Sequence, residues 1–361
     1  MYIGQKGEPL ADIPARHPAV DAVYAVSAGK FRRYHGEGFR QVLDLHTQAL
    51  NVRDIFRVAA GIWQSFWLLH RLRPDVIFTR GGFVSVPVAL AGKVLGVPYI
   101  THDSDSTPSL ANRVIGRWAA LHAVALPAEL YPYPAAKTVT VGVPVSGAHI
   151  NVTPKLQQEY RKALHLDQYR QIVFVTGGGN GAAQLNTVVT KNAHRLLEMY
   201  PGLAIVHVAG RALADGANHA YDALDLSAAD RRRIIVKDFV ADMYRYSGAA
   251  DVIISRGGAT GLAEFAAQGK ACVIIPARQL AWQVHHADTL HREGAIIRLT
   301  EAESARDHRL AAVVGGLLGD PAKRDGLAAR LERFARPDAA HELAVILLEQ
   351  AGGKAQSTTK A

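Results

Sequence analysis

Cysteine is almost missing: Cys272 is the single one in 361 residues. No intrachain disulfide and no multi-cysteine zinc site can form, which fits a reducing compartment. No run of about 18 uninterrupted apolar residues occurs, so a spanning helix is excluded, and the N-terminus lacks the basic-then-apolar signal pattern. A soluble or peripheral protein is expected. Sixteen histidines contain no H-E-x-x-H or comparable ligand set, and the neighbours His285 and His286 would point about 100° apart on a helix. Neither a G-x-x-x-x-G-K-[ST] motif nor a G-x-G-x-x-G followed by an acid about 20 residues on is present, so ATPase and dehydrogenase readings fall. No nucleic-acid motif accompanies the basic charge, and nucleic acid is not expected as a partner.

The composition is that of a globular chain, 49% hydrophobic and 20% charged with 32 Gly and 16 Pro. At roughly 100–200 residues per domain, this length implies two domains. The net charge is 41 − 32 = +9, enough for an anionic partner such as a nucleotide or a phospholipid headgroup.

Short, continuously apolar runs recur between helix-length segments: Val76 to Phe78, Pro98 to Ile100, Leu121 to Leu126, Ile172 to Thr176, Leu203 to Val208, Ile234 to Val236, Val252 to Ser255 and Cys272 to Ile275. That is the βαβ pattern of parallel sheets, an α/β fold. Met1 to Gly4 reads as the end of a strand. The aperiodic stretch from Val141 to Pro154 marks a boundary, giving an N-terminal domain over 1–148, a C-terminal domain over 149–336, a helix over 337–351 and a disordered polar tail over 352–361. Two doubly wound, Rossmann-like domains would bind ligands at the carboxyl ends of their strands.

Three glycine turns follow apparent strands: Gly81-Gly82, Gly177-Gly178-Gly179-Asn180-Gly181, and Gly257-Gly258 leading to Gly261. Each alone is as easily an ordinary tight turn as a phosphate site. Glu264, one turn into the helix after the third, changes the balance, because a carboxylate there can accept two hydrogen bonds from a ribose diol while the helix N-terminus faces a diphosphate. Without that loop it would read as a solvated first-turn acid. The combination describes a nucleotide-sugar site.

The segments SAGKFRRYHGEGF (27–39), RGGFVSVPVALAGKVLGVPYITHDSDSTPSLANRVIGRWA (80–119), VTGGGNGAAQLN (175–186) and DVIISRGGATGLAEFAAQGKACVIIP (251–276) resemble the MurG family of bacterial UDP-GlcNAc-dependent enzymes. The resemblance keeps its order from Tyr2 to about Leu299. It implies the glycosyltransferase-B fold and inverting transfer of GlcNAc from UDP-GlcNAc to lipid I, a polyprenyl-diphosphate-linked muramoyl-peptide, giving lipid II for peptidoglycan. It also implies no cofactor, no metal, and a peripheral position on the anionic cytoplasmic face of the cell membrane. A related glycolipid transferase with another acceptor, or a silent UDP-sugar-binding protein, are the alternatives.

Carried over residue by residue, the resemblance puts Gly81, Gly82 and Ser85 in the first matching loop. His102 and Asp105 fall in the segment like H-E-x-[ND] as candidate catalytic groups, with Asp105 also a substrate contact. The uridine would lie near Val240. Diphosphate and ribose would lie on Ala259, Thr260, Gly261, Leu262, Ala263 and Glu264, beside Gly177, Gly178, Gly179, Asn180 and Gly181, and Gln283 would read the sugar. Ser146 stands where the family's G-N-P-[VI]-R has arginine. The family also opens with a strand and a G-G-T-G-G-H loop whose histidine is the proposed base. This chain begins after it, so either its start is assigned short or that base is lacking.

Asp103-Ser104-Asp105 also reads as a D-x-D metal motif of another glycosyltransferase fold, which the second glycine-rich domain argues against. On the helix from Asp54 to Arg73, Ile55, Ala59, Ile62, Phe66 and Leu69 form an expected core stripe. Phe56, Trp63 and Trp67 form a second stripe flanked by Arg53, Arg57, Arg71 and Arg73, suited equally to a membrane interface or to packing under a loop.

Overall fold

The computed structural model describes residues 1–7, 15, 17–29 and 45–358. Most of the matching segment 27–39, from residue 30 onward, and residues 359–361 of the tail lie outside the described residues. Two compact units are present, Met1–Val141 with Ala340–Ala361, and Gly142–Ala339.

In the first unit, β1 (Tyr2–Gln5) pairs in parallel with β2 (Val23–Val26). The long helix α1 (Leu45–Leu72) follows, then β3 (Ile77–Thr79), α2 (Ser85–Val94), β4 (Tyr99–Asp103), α3 (Leu110–Ile115), β5 (Leu121–Val124) and β6 (Thr138–Thr140). The last four strands form one parallel sheet in sequence order. Within the second unit come α4 (Pro154–Ala163), β7 (Gln171–Thr176), α5 (Ala183–Met199), β8 (Leu203–Val208), α6 (Ala214–Asp222), α7 (Ala228–Arg231) and β9 (Ile234–Lys237). The chain continues as α8 (Met243–Ala249), β10 (Val252–Ser255), α9 (Ala259–Ala267), β11 (Ala271–Ile274), α10 (Ala281–Arg292), β12 (Ile297–Arg298), α11 (Glu301–Ser304), α12 (Arg309–Leu318), α13 (Pro321–Glu332) and α14 (Ala339–Thr358).

The second sheet is parallel throughout, ordered β12-β11-β10-β7-β8-β9. Its central strands are apolar on both faces because both are covered. Along β7, Val173 and Val175 enter one core with Leu185, Leu196 and Leu310, while Ile172 and Phe174 enter the opposite core with Leu262 and Phe265. Each such side chain contributes about 1.5–3 kcal/mol by burial. The chain leaves β7 toward β8 on one side and returns to β10 on the other, so a topological switch point lies between β7 and β10.

The C-terminal helix starts at Ala339 and runs on to Thr358, where the sequence reading ended it at 351 and placed a disordered tail from 352. Gly352 and Gly353 have poor helix propensity, yet they do not end it. Leu343, Ile346 and Leu347 of this helix pack on Ile100, Ala123 and Val141, so it is part of the first unit. Among the described residues no helix is long and apolar enough to cross a membrane.

Candidate active site

At the switch point, Thr176 at the end of β7 lies opposite Ser255 at the end of β10, which sets two glycine loops side by side. Gly257 has φ +76, and a Cβ there would meet Ile274 Cγ2 at 2.5 Å, so the turn needs glycine. Gly258 then serves as N-cap of α9 without any side-chain cap. The N–H groups of Ala259, Thr260 and Gly261 have no intrahelical partner and carry the positive end of the helix dipole. In the neighbouring loop Gly178, Gly179 and Asn180 are exposed, Gly181 is tied by its N–H to the carbonyl of Gly178 at 2.9 Å, and open space surrounds the Cα of Gly178 and Gly179. This pair of loops can cradle an anion such as a diphosphate.

One turn into α9, the Glu264 carboxyl is half-buried, and desolvation pushes it up to about 7. Leu262 beside it is buried in the core, which leaves its side chain out of reach of a ligand. Val240 is half-buried after β9 and packs against the core that holds Phe174 and Leu262. Gln283, in the first turn of α10, accepts the Ala277 N–H at 3.4 Å through Oε1. Ser146 is exposed, and its Oγ accepts the Ala148 N–H at 3.3 Å.

In the first unit, β3 and β4 run in parallel with Thr79 opposite Thr101, so the loops after them lie together. Ser85 Oγ donates to the Gly82 carbonyl, Gly81 packs on Ser109, and Arg80 Nη2 donates to Ser104 Oγ at 3.1 Å. Asp103 is fully used: Oδ1 accepts from Ser109 N at 3.0 Å and Asn112 Nδ2 at 2.9 Å, and Oδ2 accepts from Tyr133 OH at 2.7 Å. A carboxylate so occupied braces the loop and is ill placed to share a D-x-D metal. Tyr131 OH donates to the Asp105 carbonyl at 2.9 Å, leaving the Asp105 carboxyl half-buried. Burial first, then the Asp103 charge, push Asp105 up to about 6, with Arg80 opposing them. His102 is fully buried, its ring edge-on to Phe78 at 6.2 Å and its Nδ1 3.3 Å from Ser104 Oγ.

Comparison with known proteins decides the family. The N-terminal domain model of glycosyltransferase family 28 matches residues 33–124 and the C-terminal domain model residues 172–343. A UDP-N-acetylglucosamine--N-acetylmuramyl-(pentapeptide) pyrophosphoryl-undecaprenol N-acetylglucosamine transferase of Lachnospira eligens is 31% identical over 301 residues, 80% of this chain and 75% of its own. A protein of the same description from Geobacillus kaustophilus is 28% identical over 319 residues, 87% of this chain and 81% of its own. The crystal structure of Acinetobacter baumannii MurG is similar with a TM-score of 0.67 at 19% identity, over 96% of this chain and 90% of that one. Anabaena HepE in complex with UDP gives 0.56 at 16%, over 96% and 99%. The chain belongs to the MurG family.

For this MurG-family chain the glycosyltransferase-B architecture follows, with two α/β units built on parallel sheets. Three site features escaped sequence reasoning. Arg256, inside the third loop, looks like a ligand for phosphate, yet Nη1 is committed to Glu301 Oε1 at 2.8 Å and the Ile275 carbonyl at 3.2 Å. Tyr131 and Tyr133 brace the segment around Asp105 from a Pro-rich stretch with no periodicity to flag them. His149 reaches within 3.9 Å of Glu264 from the irregular segment before α4.

Helix α1 bears out the expected core stripe at Leu69, which is buried, and at Phe66, which packs against the same core, and corrects it toward the N-terminus. Its buried face carries Asp54, Gly61, Ser65 and Leu69, while Ile55 and Ala59 are exposed. The reason is close approach: Gly61 lies against the Ser27 carbonyl and Pro87, with no room for a Cβ, so the helix docks through small residues. Opposite lies an apolar face, with Val52, Ile55, Phe56, Trp63 and Trp67 53%, 52%, 71%, 64% and 53% exposed. Arg53 and Arg57 stand beside it, paired with Asp54 at 3.3 and 3.6 Å.

Proposed function

We propose that this protein transfers GlcNAc from UDP-GlcNAc to a hydroxyl of lipid I, with inversion, giving lipid II. The observation that carries the reading is the paired glycine loops at the β7/β10 switch point with Glu264 one turn into α9. In it, the first-turn N–H groups of α9 and the Gly177 to Gly181 loop hold the diphosphate, and Glu264 accepts from the ribose hydroxyls. Val240 flanks the uracil and Gln283 the sugar. Asp105 takes the proton of the acceptor hydroxyl, the oxygen attacks the anomeric carbon, and the bond to UDP breaks as the loop N–H groups stabilise the departing diphosphate. His102 is enclosed, which leaves the half-buried Asp105 as the base in this mechanism. Gly81, Gly82 and Ser85 shape the loop beside it.

The lipid acceptor calls for a membrane-facing surface, and the outer face of α1 supplies one in this reading: five large apolar side chains exposed on one helix with arginines at its edges. Such a face favours peripheral attachment to the anionic cytoplasmic leaflet. The test is a transfer assay with UDP-GlcNAc and a lipid I analogue in detergent or vesicles. Formation of the disaccharide product supports the reading. UDP-GlcNAc binding without transfer to any polyprenyl-diphosphate acceptor would leave a binding protein instead.

A further inference from the structure

The Glu264 carboxyl has an unassigned neighbour. Its Oε2 and the Nε2 of His149 face each other 3.9 Å apart, and both atoms are enclosed by protein without a hydrogen bond. The two side chains are only 13% and 7% exposed. His149 is held from its other end, with Nδ1 3.4 Å from the Ser146 carbonyl, which also accepts the His149 N–H at 3.0 Å. A proton on Nδ1 directed at that carbonyl leaves a lone pair on Nε2. Two buried acceptors then confront each other with no donor between them, an arrangement that one proton relieves for both.

We propose that His149 and Glu264 share one proton, and that His149 is thereby the positioning residue for the carboxylate that reads the ribose. With the proton kept on the Oε2 side, Oε1, which is not enclosed, stays a pure acceptor for the nucleotide's hydroxyls. The inference rests on the donor-site reading above. Burial acts in the same sense on each partner, raising Glu264 to about 7 and lowering His149, so the imidazole is neutral and the carboxyl side holds the proton near neutrality. Among the described residues, Tyr244 is a titratable side chain against the pair, its ring edge-on to His149 at 6.2 Å. Behind it lie Tyr160 at 5.8 Å and Arg245 at 5.5 Å. Removing His149 frees the proton to sit on Oε1, where it converts one ribose acceptor into a donor.

The experiment is calorimetric titration of UDP into the parent, His149→Leu, His149→Gln and Glu264→Ala proteins from about pH 6 to about pH 8, with thermal unfolding to check each fold. Dividing variant by parent affinity cancels the titration of UDP itself. The Leu variant should lose affinity relative to the parent as pH falls, by roughly 10-fold across a range centred on the Glu264 value. The Gln variant, whose amide oxygen can accept the proton held on Oε2 as Nε2 does, should restore the parent profile and serves as the folded control. A Leu variant whose profile matches the parent, with Glu264→Ala still impaired, overturns the inference and leaves the donor site standing. A Glu264→Ala protein that binds UDP as well as the parent overturns both.

Discussion

The Arg256 guanidinium meets the Glu301 carboxylate at 2.8 Å behind the Gly257-Gly258 turn, with the two side chains 11% and 6% exposed. The pair anchors the loop that opens α9 to the start of α11. It explains why an arginine inside the third glycine loop has its guanidinium committed within the protein. Removing one partner of a buried pair leaves an uncompensated charge, a loss of about 3–5 kcal/mol, whereas replacing both by apolar residues is often neutral. Arg256→Met should therefore lower urea stability by that amount, and Arg256→Met/Glu301→Leu should recover most of it. A single variant as stable as the parent would show that the pair holds nothing.

Glu264→Ala should weaken UDP binding by about 1.5–3 kcal/mol, the usual worth of hydrogen bonds to a charged group. Calorimetry at a pH above about 7, where the carboxyl is ionised, gives the clearest reading. Unchanged affinity would remove Glu264 from the ribose.

Much of the fold was legible because parallel strands covered on both faces read as short unbroken apolar runs, as Leu203 to Val208 and Val252 to Ser255 do. Strands β6 and β12 were not, since Thr138-Val139-Thr140 is half-buried and Ile297-Arg298 is only two residues long. The glycine loops that lie side by side after β7 and β10, with Glu264 one turn into α9, were legible as turns from their spacing. What periodicity misread was the first half of α1: Leu69 and Phe66 of the apolar stripe do reach the core, but at Ile55 and Ala59 the rule that the apolar stripe is the buried one fails, because Gly61 and Ser65 win the packed face by allowing close approach. His149 left no local trace either, because its meaning comes from Glu264, far along the chain.

The outer face of α1 makes a testable surface. Phe56→Ser/Trp63→Ser/Trp67→Ser should keep the fold, as all three side chains are exposed, and should reduce co-sedimentation with anionic vesicles. The parent's binding should fall with added salt, because screening limits the charge contribution to about 8 Å at physiological ionic strength. Equal sedimentation of variant and parent would take these aromatics out of membrane contact.

Asp105 supplies a pH signature. Burial and the Asp103 charge raise its carboxyl to about 6, so a base that must be ionised gives a transfer rate that rises with pH through that value and levels above it. Stability moves the opposite way. A carboxyl raised on folding favours the protonated native state, so its stabilising contribution is complete below the unfolded value and is lost as pH rises through about 6. Asp105→Asn should abolish the acidic limb and slow transfer by about 10²–10⁴, the typical worth of general-base catalysis, while UDP binding in the other unit is kept. His102→Phe is the companion variant, since it removes both ring nitrogens from an enclosed site. A profile with its acidic limb intact in Asp105→Asn and lost in a folded His102→Phe protein would transfer the base role to the histidine.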